Sequence, residues 1–185
     1  MIAVDAGLKT VAAQNLHPKV IIGDFDSLEL SYLEAYPQVP VVRHQAQKNE
    51  TDTEIALDWC LHEGGYREIV ICNDLQGRVD HSLAIIQNLL ALHRKGVLAS
   101  IQTDAQRLFF LSPQTELDGK KGDLLSLISY SISSAFTSSE GLQYPLHNLI
   151  IKQHQSRGIS NEFGADRVRI DLLGGEVLAI YSPQP

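Results

Sequence analysis

Val20-Ile21-Ile22-Gly23-Asp24-Phe25-Asp26-Ser27 decides the fold class. Three β-branched apolar residues in succession read as a strand buried on both faces, and the run stops at a glycine followed by two acids at alternate positions. Short apolar runs of the same kind recur at residues 2–4, 39–42, 69–72 and 98–101. Segments of helical length and period lie between them. In one, Ile55, Trp59 and His62 share a stripe with Ala56 and Cys60 beside it; in another, Leu83, Ile86, Leu90 and Arg94 repeat the spacing, and Lys95-Gly96 ends it with a cation and a C′ glycine. Strand–helix alternation predicts right-handed crossovers and a doubly wound, mostly parallel sheet with helices on both faces. After Ser112-Pro113 the helical period disappears. Glycines at 119, 122, 141, 158, 174 and 175 then punctuate short runs rich in Leu, Ile, Ser and Val, which predicts an antiparallel sandwich or barrel. The expected division is therefore an α/β part over residues 1–112 and an all-β part over residues 113–185.

Composition narrows the partners. The chain has 185 residues, with 15 Lys and Arg against 22 Asp and Glu, a net charge of −7. Apolar residues are 44% and charged residues 20%, the balance of a globular protein rather than a disordered one. No apolar run is long enough to span a bilayer, and the N-terminus lacks the basic flank and long apolar stretch of a signal peptide. An acidic pI of 5.4 without a Lys/Arg cluster argues against nucleic-acid and membrane-surface partners. Cys60 and Cys72 are isolated and the seven histidines are scattered, so neither a disulfide framework nor a zinc site is expected. These features predict a soluble, cytoplasmic protein.

The acids are informative through their placement. Asp5 follows the first predicted strand, Asp24 and Asp26 the second, Asp52 the third and Asp80 the fourth. On parallel strands these positions fall at the carboxyl edge, where open α/β sheets bind ligands. In an extended loop Asp24 and Asp26 point to the same side, and carboxylates converging with a third suit Mg²⁺ shared with substrate phosphates. Each acid also has a local explanation. Asp26 with Glu29 reads as a helix cap, Thr51-Asp52-Thr53-Glu54 as a capping box, and Asp80 as the cap of the helix through Leu83. Arg78, between Gly77 and an acid, reads either as a phosphate-binding guanidinium or as the surface partner of Asp80.

Gly23-Asp24-Phe25-Asp26-Ser27, Lys48 with Thr51-Asp52 and Glu54, Gly77-Arg78-Val79-Asp80-His81, Gly141-Leu142-Gln143-Tyr144-Pro145-Leu146 and Ser160-Asn161-Glu162 occur in that order. The ordered set resembles the thiamine pyrophosphokinase family over nearly the whole chain. The resemblance implies an α/β nucleotide domain followed by a β-sandwich that binds thiamine. It also implies Mg²⁺-dependent transfer of pyrophosphate from ATP to thiamine, and a homodimer with its active site at the subunit interface. Carried over residue by residue, Asp24, Asp26 and Asp52 would hold Mg²⁺ and the transferring phosphates. Arg78 or Lys48 would stabilise charge on those phosphates, and one of the aspartates, Asp52 foremost, would take the hydroxyl proton. Asp5, Lys48, Thr51, Gly77, Arg78, Asp80 and His81 would contact the nucleotide, and Ser160 and Asn161 would help form the thiamine pocket. A hairpin turn is the local alternative for Ser160-Asn161, and Tyr144-Pro145 reads as packing.

The chain departs from the family pattern at Ala6, Asn49 and Gln76. It also begins almost on the pattern's second strand, so the first edge segment is read as absent from this sequence. Two alternatives follow: pyrophosphate transfer to another heterocyclic alcohol of pterin type, and a non-catalytic thiamine or nucleotide sensor. An aspartyl phosphatase is discounted, because Ser27-Leu28 follows the acids where that chemistry expects Gly-Thr on the first strand.

Overall fold

The computed structural model describes residues 1–26, 28–45 and 49–184. They form two compact units, Met1–Tyr66 and Arg67–Pro185.

In the first unit the order is β1 (Ile2–Val4), α1 (Gly7–Ala13), β2 (Val20–Gly23), α2 (Leu30–Glu34), β3 (Val41–Arg43) and α3 (Asp52–His62). The strands pair in parallel in the order β1-β2-β3, with Ala3 opposite Ile21 and Ile22 opposite Val42. β3 begins after Pro40, which has no N–H to give the ladder. Side chains alternate as the period of two requires. Ala3 and Ile21 pack with Leu8, Val11, Phe25 and Tyr36 on the α1–α2 side. Ile2, Val4, Val20 and Ile22 pack with Ile55, Ala56 and Trp59 of α3 on the other. Both faces are covered by helices, as the apolar runs implied.

The second unit begins with β4 (Glu68–Cys72), α4 (Val79–Arg94), β5 (Leu98–Gln102) and β6 (Arg107–Phe110). It continues with β7 (Gln114–Asp118), β8 (Leu124–Ser129), β9 (Ser133–Glu140), β10 (Leu149–Lys152), β11 (Asn161–Glu162), β12 (Arg167–Gly174) and β13 (Val177–Ser182). A six-stranded sheet runs β11-β8-β13-β6-β5-β4 and a four-stranded sheet runs β10-β9-β12-β7. β4 and β5 pair in parallel, joined by α4, and every other pairing in the unit is antiparallel. One face of the larger sheet, with Ile101, Leu108, Phe110 and Leu178, packs on Ile85, Leu89 and Leu90 of α4. Its other face, with Phe109, Leu125, Leu127, Val177 and Ala179, packs on Phe136, Ile151, Val168 and Ile170 of the smaller sheet. The layers are thus helix, sheet, sheet.

The fold class is the expected one, α/β strands followed by an antiparallel sandwich. The parallel strands, however, are distributed over two sheets, because β5 pairs antiparallel with β6 and so carries the β4–β5 pair into the sandwich. The apolar stripe of α4 agrees with the expected spacing at Ile86 and Leu90, but Ile85, Leu89 and Leu92 are buried beside them and Leu83 is 55% exposed.

One buried charge organises the sandwich. The Asp123 carboxylate accepts hydrogen bonds from the Tyr181 hydroxyl, from Lys120 N–H at 2.7 Å and from Gln184 N–H at 2.9 Å. These partners, the Tyr181 hydroxyl foremost, hold the Asp123 carboxyl below its ordinary range. Burial and this carboxylate push the Tyr181 phenol up to about 12. A depressed acid contributes stability above its unfolded pKa and loses that contribution as pH falls through the folded value. Asp123→Ala leaves three donors without their acceptor, so the variant should unfold about 3 kcal/mol more easily at pH 7. Urea titrations should show the gap between variant and parent narrowing below about pH 4, where Asp123 of the unfolded chain takes up a proton before the folded carboxylate does. A gap that holds constant down to pH 2 would be inconsistent with this role.

Candidate active site

Asp5, Asp24 and Asp26 lie at the carboxyl edge of the parallel sheet of the first unit, one to three residues past the ends of β1 and β2. Asp5 N–H donates to Ile22 C=O at 2.8 Å, closing the ladder where β1 and β2 finish. Gly23 eases the close approach there. A Cβ at this position would stand 3.1 Å from Asp5 Cα and 3.1 Å from Phe25 Cε1, so a side chain would push apart the two segments that carry the acids. Asp5 and Phe25 both adopt positive φ, +44° and +62°, although neither is glycine. Such backbone persists only where the surroundings impose it, and it gathers at working sites.

Asp24 is half-buried, and its Oδ1 accepts the Asp26 N–H at 3.1 Å, a turn that leaves Asp26 exposed. The cap reading of Asp26 does not hold: α2 starts at Leu30, its N-cap is Glu29, and no side-chain cap bond is made. The N-cap half of the capping box at α3 is formed. Thr51 Oγ1 accepts the Glu54 N–H at 3.2 Å, and Asp52 opens the helix half-buried in its first turn. α3 packs on β1 and β2 through Ile55, Ala56 and Trp59. Lys48 lies outside the described residues, as does Ser27 of the first motif.

In the second unit, β4 leads into a loop built for a tight approach. Asn73 Oδ1 accepts the Leu75 N–H at 2.8 Å, Leu75 and Gly77 have positive φ, and Ser82 Oγ–H donates to Leu75 C=O at 3.1 Å. Asn73 thus supports the loop through its side chain rather than by a left-handed backbone. Gln76 points its bulk outward and is exposed. Arg78 is the N-cap of α4, and Asp80 and the exposed His81 lie in its first turn. Arg78 grips Asp80 with two hydrogen bonds, Nε to Oδ1 at 3.1 Å and Nη2 to Oδ2 at 2.6 Å. Both side chains are largely exposed. The pair still raises the guanidinium pKa and lowers that of the carboxylate, through their mutual hydrogen bonds first. The surface-pair reading of Arg78 is therefore the arrangement present in this structure.

The two motifs of the β part come together. Gln143 N–H donates to Glu162 C=O at 2.8 Å, Leu142 bridges Phe163, and Gly164 N–H reaches Gly141 C=O at 2.7 Å. Asn161 joins them through its side chain. Its Oδ1 accepts from Tyr144 N–H at 3.1 Å and Glu162 N–H at 2.8 Å, while Nδ2 donates to Tyr144 C=O at 2.7 Å. This amide is buried and its main capacity is spent on backbone, whereas Ser160 is exposed, with φ +57°. Tyr144 does not pack as expected: its ring is 65% exposed, and Leu142 and Leu146 supply the packing.

Among the described residues no group of three or more His, Cys, Asp and Glu side chains is arranged to hold a metal ion. The donor chemistry of Asp24, Asp26 and Asp52 nonetheless fits Mg²⁺. Mg²⁺ takes oxygen ligands only and uses one or two carboxylates with waters and substrate phosphates rather than a full protein cage. Among the described residues no helix is long and apolar enough to cross a membrane.

An α/β unit with acids collected past its parallel strands, followed in the chain by a β-sandwich, defines a two-part protein of the kind that handles phosphates at a sheet edge. Residues 1–101 match the family model described as thiamin pyrophosphokinase, catalytic domain, and residues 113–174 match its vitamin B1 binding domain. A thiamine pyrophosphokinase of Bacillus subtilis is 34% identical over 191 residues, covering 98% of this chain and 86% of the relative. Thiamin pyrophosphokinase 1 of Caenorhabditis elegans is 23% identical, covering 88% of this chain and 70% of the relative. Among solved structures, thiamine pyrophosphokinase from Bacillus subtilis superposes with a TM-score of 0.89 at 27% identity, over 100% of this chain and 87% of the other. That from Geobacillus thermodenitrificans gives 0.84 at 26%, over 99% and 86%. The chain belongs to the thiamin pyrophosphokinase family, a family of kinases.

Asn161 is read here as the clamp between the two β-part motifs. Replacing it with alanine strips acceptor and donor from a buried loop and should cost about 1–3 kcal/mol. Equilibrium urea unfolding measures this, and a shift below about 0.5 kcal/mol would show that the loop holds without the clamp.

Proposed function

We propose that this chain transfers the pyrophosphoryl group of ATP to the hydroxyl of thiamine, giving thiamine diphosphate and AMP. The observation that carries the reading is the match of a catalytic-domain model and a vitamin B1 binding-domain model in one chain, in order and nearly end to end. In this reading residues 1–112 form the nucleotide and metal part and residues 113–185 the thiamine part. The protein acts as a cytoplasmic homodimer that completes the site between subunits.

Attack of a primary hydroxyl on the β-phosphorus needs alignment and charge neutralisation more than covalent help. Asp24, Asp26 and Asp52 would hold Mg²⁺, which when bound supplies charge neutralisation on the phosphate oxygens. The chain's own groups do the rest. Thr51 fixes the start of α3 and with it Asp52, the aspartate that would take the hydroxyl proton. Gly77 lets the loop approach phosphate without a side chain. Arg78, released from Asp80, offers two parallel N–H donors to phosphate oxygens, and Lys48 adds a second cation. Asp5, Asp80 and His81 orient the nucleotide. Ser160 would contribute its hydroxyl to the thiamine pocket, and Asn161 holds the short strand that follows it.

The test is AMP release from Mg-ATP with and without thiamine, with products weighed by mass spectrometry. Thiamine-dependent AMP together with thiamine diphosphate is expected. Thiamine binding without turnover would indicate a sensor, with Ala6, Asn49 and Gln76 as the first positions to examine. Pyrophosphate appearing only on a pterin-type alcohol would move the acceptor. Asp26→Asn should lower kcat by about 100-fold or more with the fold intact by circular dichroism, since it removes charge where charge develops. A loss below about threefold would exclude Asp26 from the phosphate machinery.

A further inference from the structure

Arg43 ends β3 in register with Gly23, so it stands beside the residue from which the Asp24-Phe25-Asp26 loop departs. Its guanidinium carbon lies 5.1 Å from the centre of the Phe25 ring. Phe25 is 6% exposed and packs with Ala3, Leu8 and Ile21, so the ring is a fixed platform. Arg43 itself is exposed. Arg78, Arg94, Arg167 and Arg169 each take a carboxylate. Arg43 takes an aromatic face instead, although acids flank that ring on both sides in the sequence, and among the described residues it has no carboxylate partner.

This matters for what the guanidinium has left to give. Stacking uses the face of the planar group and leaves its five N–H donors, which lie in the plane, free for an acceptor. A bidentate carboxylate occupies two of those donors and neutralises the charge. An arginine set over a buried ring, at the edge where acids would otherwise repel a polyphosphate, keeps its charge and donors for an anion.

We propose that Arg43 is a phosphate-binding residue of this edge, its guanidinium stacked on Phe25 and donating in its plane to phosphate oxygens of the nucleotide. The inference rests on the pyrophosphoryl-transfer reading above and adds to it a cation that the motif pattern does not mark.

Arg43→Met keeps a long side chain on the ring and removes the charge, and Arg43→Lys keeps the charge without the planar fork. Binding of Mg-ATP is measured by calorimetry, KM is measured separately for Mg-ATP and thiamine, and thermal midpoints are recorded. For Arg43→Met, the Kd and KM for Mg-ATP should rise about tenfold or more, as expected for losing a charge-assisted bidentate contact. The KM for thiamine and the midpoint should stay near the parent values, with Arg43→Lys intermediate. Phe25→Leu should also weaken Mg-ATP, and adding it to Arg43→Met should weaken binding little further, because the platform acts through the cation. Mg-ATP binding within about twofold of the parent in Arg43→Met would overturn the proposal, as would equal losses for ATP and thiamine accompanied by a lowered midpoint. The two readings separate cleanly. If the parent binds Mg-ATP but forms no thiamine diphosphate, the proposed function fails while Arg43 is still tested by binding. If the parent is active and Arg43→Met is unaffected, only Arg43 fails. A parent that binds no Mg-ATP overturns both.

Discussion

A strand covered on both faces has only its ends at which to place a charge, and the candidate site follows from that constraint. All four residues of β2 are buried, packed alternately under α1–α2 and under α3. Asp24 and Asp26 appear as soon as the strand stops, and Asp5 does the same after β1. Close packing then forces the ends together. Gly23 lets the Asp5 backbone and the Phe25 ring approach, and the two segments accept left-handed backbone at Asp5 and Phe25 in consequence. The acids gather there because burial of the sheet leaves them no other exit.

The same logic explains which parts of the fold could be read from residues alone. β1 and β2 are short apolar runs covered by helices, as that pattern implies, whereas β4 reads the same way but buries only Ile69 and leaves Val70 exposed. β9 has no such signature. Ser133-Ser134-Ala135-Phe136-Thr137-Ser138-Ser139-Glu140 reads as a polar loop, yet it lies between β10 and β12 in the smaller sheet. Its inward serines are buried and satisfied: Ser134 Oγ meets Ser129 Oγ at 2.7 Å, and Ser139 Oγ accepts the Leu146 N–H at 2.9 Å. Periodicity counts apolar side chains, so a strand that buries hydroxyls with partners supplied from distant segments escapes it. The passage of the chain from parallel to antiparallel pairing at β5–β6 is hidden for a related reason, since pairing direction leaves no trace in a single run of residues.

Site residues were legible by type but not by engagement. The sequence marks Asn161 as a polar residue near a turn, a fair candidate for a ligand contact. Its burial and its bonds to Tyr144 and Glu162 show an amide already committed to the backbone. Conversely, Arg43 sits at the end of an apolar run with nothing in its spacing to distinguish it. Its meaning arises only when β3 registers with β2 and the Phe25 ring turns beneath it. A cation–aromatic contact between residues 18 apart in the chain is a tertiary fact.

The two arginines at loop edges show how the choice of partner sets availability. Arg78 and Asp80 are largely exposed, where such a pair adds little to stability and is screened by salt. The value of the contact lies in orientation: a carboxylate holds the fork flat and directed, and a phosphate group bearing more charge than one carboxylate competes for the same donors on favourable terms. Exchange of partners at Arg78 therefore requires an anion stronger than Asp80, which filters weak anions from that loop. Arg43 needs no exchange, because an aromatic face competes for none of the in-plane donors. The availability of each arginine thus follows from the partner it already has: Arg78 must give up a carboxylate, whereas Arg43 has none to give up among the described residues.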